Sequence, residues 1–470
     1  MPPKEVGPRE ITPEGTDTTT TQVDEIHHNG HQPNGLRATL EAAGGSLKSL
    51  TVLAAQNDPF RVDTEAGHRD GAWLANTLDR LGITGQRHLR GLHYILIGQP
   101  KPNGLPYTNT DSDWRWLAES AAKAARWLGY IPFSRIVDQR NDKPETLKWT
   151  PSLGDPSPYL SVNFQVNRNV VAVPDADDLI PRAGLFGFNV DQPYHLVLVG
   201  EKSSLRQVLG GVARKYAADL YLPTGEISDT QAYEMAQSGV DYGRPMVVFY
   251  FSDCDPAGWQ MPISLYRKLQ ALTAIEFGDL EAQIRPVALT PEQVREYGLP
   301  STPLKDTERR ADRWTAAMGV EQTEIDALAS RQPEVLRQLA DDAIAPFHDQ
   351  TLARRVRQAI HEWEQRAQAS VDEQAADHIE QIHSDVVPLL EEKRDQIEQV
   401  LDEIQEMLDD VRVDASGFDL PPVPELPERV LDGDPPEPLC DSSWDFAEQC
   451  RRLIAAKSYD TNGHHDRYVG

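Results

Sequence analysis

Strand-length apolar segments alternate with helical patterns between Tyr194 and Leu289, and this alternation constrains the fold more than any other feature of the chain. HLVLVG and MVVFYF are apolar segments of strand length, whereas SLRQVLGGVARKYA and DTQAYEMAQ have helical spacing. AQIRPVAL provides a later strand. Strand, helix and strand in this order predict right-handed crossovers and a parallel sheet. The predicted fold class is therefore α/β, with functional residues at the carboxyl ends of the strands.

Three acidic residues directly follow two of these strands. Glu201 comes after HLVLVG, and Asp253 and Asp255 come after MVVFYF with one residue between them. In extended chain, side chains two positions apart point to the same side, so both Asp carboxylates can face one ion, and Glu201 could join them from the neighbouring strand. Oxygen ligands of this kind suit Mg²⁺, which would stabilise charge on phosphodiester oxygens during in-line displacement.

A purely structural interpretation of the same residues stays open. Asp253 and Asp255 could begin a turn, because Asp-Pro and Pro-Ala-Gly are common turn sequences, and Glu201 could cap a helix that begins at Lys202 or Ser203. For any one residue, this interpretation is favoured. For the three together, a metal site is favoured.

Three segments around these residues resemble the Toprim signature. LVGEKSSL, LPTGEISD and FYFSDCDPAGWQMP supply a Glu after the first strand, a Gly-containing middle motif and Asp-x-Asp-Pro-x-Gly after the third. Upstream, RGLHY resembles the Arg-x-x-Tyr-Tyr motif in the winged-helix domain of topoisomerase VI A subunits and of the related meiotic double-strand-break enzyme. The resemblance covers about His68 to Asp349. It implies a Toprim α/β domain preceded by an α-rich winged-helix domain and followed by long C-terminal helices.

The resemblance also implies roles for particular side chains. Tyr94 would be the nucleophile of a DNA transesterification, and Glu201 would be catalytic. Arg90 stands four residues before Tyr94 on the same helix, so its guanidinium could hold the phosphate beside the phenol. The resemblance further implies a homodimer on double-stranded DNA, in which Tyr94 of one subunit meets the Mg²⁺ carboxylates of the other. Strand passage would need a separate ATPase or accessory subunit.

Three positions depart from the family pattern. His93, Gln231 and Ala257 stand where the family has Tyr, Arg and His. Relatives from plasmid-defence systems keep the Toprim carboxylates and cut DNA without the tyrosine, and Tyr94 could instead be a buried core residue. Two other functions therefore stay open: a metal-dependent hydrolytic nuclease and a non-catalytic DNA-binding or scaffold protein.

The charge of the chain counts against DNA as a partner. The formal net charge is −28, whereas DNA-binding proteins normally present a basic surface. The acidic excess is local, however, because residues 371–440 contain 21 acidic and four basic side chains. Four basic residues near the predicted metal site are candidates for a DNA-binding face: Lys202, Arg206, Arg214 and Lys215.

Composition divides the chain into five regions. They are a disordered leader (1–47), a winged-helix-like domain with the tyrosine (48–185), a Toprim domain (190–290), a helical C-terminal region (291–412) and an acidic, Pro-rich, largely disordered tail (413–470). Within the second region, Asp111 is expected to cap the helix that follows the hairpin-like QPKPNGLPYTNT.

Cysteine usage and the N-terminal residues indicate the compartment. The three cysteines form no CxxC pair, so the sequence indicates neither a zinc site nor a disulfide framework. MPPKEVGPRE has no apolar signal core, and no segment approaches the ~20 apolar residues of a membrane span. We therefore expect a cytoplasmic protein that does not enter a membrane.

Overall fold

The computed structural model describes residues 35–137, 143–146, 156–161, 181–305, 308–385, 388–389, 417–431, 433 and 435–458. The helices, in chain order, are α1 (Leu36–Ala42), α2 (Leu47–Leu50), α3 (Glu65–Arg80), α4 (Leu89–Ile95), α5 (Asp111–Trp116), α6 (Ala122–Trp127), α7 (Arg206–Tyr216), α8 (Asp229–Tyr242), α9 (Met261–Ile275), α10 (Pro291–Glu296), α11 (Ala311–Met318), α12 (Ile325–Arg331), α13 (Pro333–Ile344), α14 (Leu352–Gln374), α15 (Ala376–Asp385) and α16 (Phe446–Lys457). The strands are β1 (Arg87–His88), β2 (Ile136–Val137), β3 (Ser157–Ser161), β4 (Arg182–Phe186), β5 (His195–Gly200), β6 (Asp219–Tyr221), β7 (Met246–Phe251), β8 (Ala282–Ala288) and β9 (Cys440–Asp441). Within these ranges, no helix has both the length and the apolar character needed to cross a membrane.

A five-stranded sheet in the order β6-β5-β7-β8-β9 forms the centre of the fold. β5 pairs in parallel with β6 and with β7, and β7 pairs in parallel with β8, while β9 is antiparallel to β8. Helices lie between successive parallel strands, and every residue of β5 and β7 is buried. The predicted α/β class with a mostly parallel sheet is confirmed.

Alternate residues of the central strands pack into two separate cores. Val248 of β7 belongs to the core formed with α8, α9 and α16, whereas Val247 and Phe249 belong to the core formed with α7, α12 and α13. The division follows from the two-residue period of a strand. Full burial of each such side chain stabilises the fold by about 1.5–3 kcal/mol. Because the two cores lie on opposite faces of the sheet, both faces contribute to its stability.

A smaller helical unit with its own core precedes the sheet. Helices α3 to α6 pack around buried apolar side chains that include Leu74, Leu92 and Leu117, and β1 pairs in parallel with β2. The hairpin-like interpretation of QPKPNGLPYTNT is confirmed, because the N–H groups of Gly98 and Tyr107 donate across the turn at 2.8 Å each. This α-rich unit matches the helical character predicted for the region.

The predicted cap of α5 was wrong by one residue. Thr110 is the N-cap, and its hydroxyl accepts a hydrogen bond of 3.3 Å from the N–H of Asp113. Asp111 is instead the first helical residue, where its negative charge favours the positive end of the helix dipole. Both residue types cap helices, so composition alone did not distinguish them.

A buried ion network joins the helical unit to the sheet. Asp229, at the start of α8, lies 3.9 Å from Lys123 and 3.6 Å from Arg126 of α6. Lys268 of α9 lies 3.2 Å from the same carboxylate, and the indole of Trp127 donates to it at 3.1 Å. Burial raises the pKa of Asp229, but the three cations outweigh burial and hold it well below its ordinary range. Loss of this carboxylate would leave buried cations without compensation.

Helices follow the sheet, as predicted for the C-terminal region. They run from α10 to α15, and α14 alone has 23 residues. Most of the predicted helical region beyond Asp385 lies outside the described residues.

The predicted disordered regions at the two ends were wrong in part. Residues 1–34 lie outside the described range, but α1 falls within the predicted leader and buries Leu36 and Leu40 in a sheet core. Within the predicted tail, β9 extends the sheet, and α16 buries Cys450 and Leu453 in the same core. Both regions are mostly polar or Pro-rich, so composition predicts disorder. Each contains only a few apolar residues, and these are buried by packing against the sheet.

We expect Leu453→Ala to lower the free energy of unfolding by about 2–5 kcal/mol, because Leu453 is fully buried and its truncation leaves a cavity. Arg451→Ala on the same helix is the control, and we expect a change below about 0.5 kcal/mol because its side chain is exposed. Urea denaturation monitored by tryptophan fluorescence measures both. Equal stability of the two variants would show that α16 does not belong to the core.

Candidate metal centre

Parallel pairing places the ends of β5 and β7 side by side. Gly200 pairs with Phe251, so Glu201 and Asp253 leave the sheet at the same edge. The N–H of Glu201 donates to the carbonyl of Phe251 at 2.9 Å, and the N–H of Asp253 donates to Oε2 of Glu201 at 2.9 Å. The structure thus brings these two predicted residues together. Glu201 does not cap the following helical turn, because its carboxylate faces Asp253.

Asp255 lies in a tight turn immediately beyond Asp253. Its Oδ1 accepts hydrogen bonds from the N–H groups of Ala257 at 2.9 Å and Gly258 at 2.7 Å, which is the turn role considered for it. Its charge also acts on Glu201, so the two carboxylates share one electrostatic environment. Gly258 is required here, because a Cβ at this position would lie 2.1 Å from the carbonyl oxygen of Asp253.

A lysine and a second acidic segment complete the group. The ammonium of Lys202 lies 3.0 Å from Oδ2 of Asp253, 3.1 Å from Glu324 and 3.4 Å from Asp326. The other oxygen of Asp253 accepts a hydrogen bond of 2.8 Å from the N–H of Ile325. Lys202 is therefore an ion-paired residue of the site and not a solvated surface lysine.

Glu324 and Asp326 were not predicted as site residues. Their segment, EIDAL, follows the sheet in sequence, and nothing local connects it with the carboxylates. The connection is an isolated antiparallel bridge. The N–H of Cys254 donates to the carbonyl of Thr323 at 2.9 Å, and the N–H of Thr323 donates back at 3.1 Å.

Burial and mutual repulsion set the electrostatics of the site. Burial, together with the charges of Asp253 and Asp255, raises the pKa of Glu201 to about 7. Burial also raises the pKa of Asp253, against the hydrogen bonds that lower it. Burial lowers the pKa of Lys202, but the bond to Asp253 and the neighbouring acids raise it overall. The site therefore concentrates negative charge where a cation is strongly favoured.

The side chains fit a hard divalent cation by their chemistry. As they stand, the described residues contain no group of three or more His, Cys, Asp or Glu arranged to hold a metal ion. Asp253 uses both carboxylate oxygens inside the protein, whereas Asp255 makes both of its backbone bonds through Oδ1. All the donors are carboxylate oxygens, as Mg²⁺ prefers. Ligation by Asp253 would require its bond to Lys202 to be exchanged for the ion.

Tyr94 lies on the surface of the helical unit. More than half of it is exposed (55%), so the alternative of a buried core tyrosine was wrong. The guanidinium of Arg90 lies 5.9 Å from the centre of the Tyr94 ring, on the shared face that was predicted. The neighbouring His93 is the buried residue, and it is hydrogen-bonded to Tyr107 at 2.7 Å and to Asn109 at 2.8 Å.

The four predicted DNA-binding cations do not form one free basic face. Besides Lys202, Arg206 is ion-paired with Glu145, and Lys215 lies 3.0 Å from Asp341. Arg214 is exposed on α7. DNA phosphate groups would have to compete with carboxylates for three of these four cations.

A scan against protein-family models finds no matching family, and a search of curated proteins finds no matching relative. The roles of the residues described above therefore depend on their geometry and chemistry.

We expect Gly258→Ala to lower the free energy of unfolding by about 1–3 kcal/mol, because the new methyl group would collide with the Asp253 backbone. Gly278→Ala is the control, since a Cβ there meets nothing within 4 Å. Chemical denaturation of both variants measures the difference. If Gly258→Ala were as stable as Gly278→Ala, the turn that holds Asp255 would not have the close approach described.

Proposed function

We propose that this protein cleaves double-stranded DNA with Mg²⁺, as a Toprim-type enzyme similar to topoisomerase VI A subunits. The main support is that Glu201, Asp253 and Asp255 converge at the carboxyl edge of a parallel sheet. Ligands bind at this edge in open α/β sheets. Groups with strongly perturbed pKa values, such as Glu201, are concentrated at functional sites.

The carboxylates and Lys202 divide the binding task. Glu201, Asp253 and Asp255 would hold Mg²⁺, which when bound supplies Lewis acidity toward phosphodiester oxygens. Lys202, released from Asp253, stays next to the site and donates to a non-bridging phosphate oxygen. When DNA binds, Lys202 exchanges its ion pair with Asp253 for one with the phosphate, so the number of ion pairs that Lys202 makes does not change.

Tyr94 is the nucleophile in this proposal. Its phenolic oxygen attacks the phosphorus and forms a new P–O bond to the DNA 5′ end, while the bond from phosphorus to the 3′ oxygen breaks. The phenol loses its proton, and the leaving 3′ oxygen gains one. One phosphodiester is exchanged for another, so the step consumes no water and no nucleotide. Arg90 holds the phosphate beside the phenol.

Two copies of the chain build the active site. The ring of Tyr94 contacts Arg90 and His93 of its own helix, within the helical unit. In the proposed homodimer, Tyr94 of one subunit reaches the carboxylates of the other, and the DNA lies between the two. The proposed enzyme is cytoplasmic, and strand passage would require a separate ATPase subunit.

Hydrolysis by the same metal centre is the second candidate function. The carboxylates and Lys202 assemble within one chain, without Tyr94, and so could direct a water molecule at the phosphodiester instead. The two candidates differ in their product, since hydrolysis leaves no protein attached to DNA.

We expect Mg²⁺-dependent nicking of supercoiled plasmid by the purified protein, and its loss by at least about a hundredfold in Asp253→Ala, because the central ligand is removed. Asp279→Ala is the control: it removes an exposed carboxylate just before β8, at the opposite edge of the sheet, and should cleave normally. Gel electrophoresis with and without EDTA measures both. Undiminished nicking by Asp253→Ala would refute the metal centre.

We expect Tyr94→Phe to bind DNA and Mg²⁺ but to neither cut nor cross-link, because only the attacking oxygen is lost. Denaturing the parent protein during the reaction should trap protein on a DNA 5′ end, detected on a denaturing gel as retarded 3′-end-labelled DNA that returns to its free mobility after protease treatment. Tyr159→Phe, at another exposed tyrosine, is the control and should retain both activities. Full cleavage by Tyr94→Phe, with no adduct from the parent, would favour the hydrolytic nuclease.

A further inference from the structure

A second cavity lies at the edge of the sheet opposite the carboxylates. It has a volume of about 340 Å³ and is lined by His195, the first residue of β5, whereas Glu201 follows the last residue of the same strand. The end of α7 forms one wall, with Lys215 and Tyr216. One face of α14 forms another, with Leu352, Val356 and Ile360 four residues apart. A volume in this range fits a small organic ligand.

Three buried nitrogen atoms on residues of this cavity have no hydrogen-bond partner in the described part of the chain. They are Nδ1 of His195, Nε of Arg244 and Nδ1 of His348. The His195 ring is 97% buried, and its Nε2 is paired with Asp219 at 2.9 Å, which leaves Nδ1 as the unpartnered nitrogen of the ring. Buried polar atoms are nearly always satisfied in native proteins, and three around one cavity point to a polar ligand.

The lining combines positive charge with aromatic rings. The lining contains three cationic residues, Lys215, Arg244 and Arg357, and one acidic residue, Asp191, whereas the whole chain has a net negative charge. Lys215 is paired with Asp341 and His195 with Asp219, so the two arginines are the lining cations left for an anion. This balance favours an anion.

The rings lie around the unpartnered nitrogens. The centroids of the Tyr242 and His195 rings are 4.2 Å apart, and those of the Tyr216 and His348 rings are 5.0 Å apart. Tyr194 and the apolar face of α14 complete the lining. Aromatic and aliphatic walls of this kind accept a flat ring.

We propose that this cavity binds a small phosphate ester with one planar ring, of the size of a nucleoside monophosphate. The ring packs between the tyrosines and α14, the phosphate is bound by Arg244 and Arg357, and His195 donates or accepts one hydrogen bond through Nδ1. The site is separate from the proposed DNA-cleavage centre and does not depend on it.

Calorimetric titration of the full chain with AMP in EDTA tests the binding. We expect one saturable site per chain, with adenosine and inorganic phosphate each binding at least about tenfold more weakly, a difference of about 1.4 kcal/mol per ligand. Inorganic phosphate binding as tightly as AMP would refute the ring site. Absence of saturable binding by AMP, GMP, CMP and UMP would refute the proposal altogether.

Surface variants locate the site without disturbing the core. Arg357→Glu, at the exposed rim, should weaken AMP binding at least about fivefold, because it reverses a charge beside the phosphate. Arg354→Glu is the matched control on the same helix: it makes the same charge change outside the lining and should alter affinity less than about twofold. Equal effects of the two variants would indicate a non-specific charge effect and contradict the site.

Photochemical cross-linking gives an independent position. With 8-azido-AMP followed by peptide mass spectrometry, we expect label on peptides that contain Tyr194, Tyr216 or Tyr242. Ala353→Trp, which fills the mouth from an exposed helical position, should abolish that label. Label confined to other peptides would overturn the assignment.

Discussion

Parallel pairing of β5 with β7 organises both the two cores of the sheet and the site at its edge. The two strands pair over six residues, from His195 with Met246 to Gly200 with Phe251. Their residues point alternately into two buried cores, so a slip of one position would exchange the residues between the cores. The same register places the N–H of Asp253 against Glu201. The register that packs the two cores therefore also brings the carboxylates together.

Burying several carboxylates together costs stability, and the fold offsets only part of that cost. Lys202 pairs with Asp253, and backbone N–H groups of three different residues donate to Asp253 and Asp255. The pKa of Glu201 nevertheless stays raised, because burial and its acidic neighbours outweigh its one backbone hydrogen bond. Charge that a fold leaves incompletely compensated is typical of a site that binds an ion or a substrate. This is the physical basis of the proposed magnesium centre.

Net charge gives an incomplete account of where this chain can bind an anion. Three cations are used inside the fold around Asp229, and three of the four predicted DNA-binding cations pair with carboxylates. Exposed ion pairs such as that of Lys215 with Asp341 contribute at most about 1 kcal/mol, so a phosphate can replace the acidic partner. The positive charge at the cavity beside His195 is a second case in which local arrangement matters more than the total.

Local signals in the sequence were enough to predict several elements and part of the site. Uninterrupted apolar runs predicted β5 and β7, helical spacing predicted α7 and α8, and acidic residues after two strands predicted where Glu201 and Asp253 would meet. These predictions use strand and helix periodicity and the rule that parallel strands end at one edge of the sheet.

Tertiary contacts were needed to form the elements near the two ends of the chain, where α1, β9 and α16 bury a few apolar residues within polar segments. They also bring Glu324 and Asp326 to Lys202, because the bridge between Cys254 and Thr323 connects residues about 70 positions apart. No local pattern encodes such a contact, since its stability comes from the sheet that it packs against.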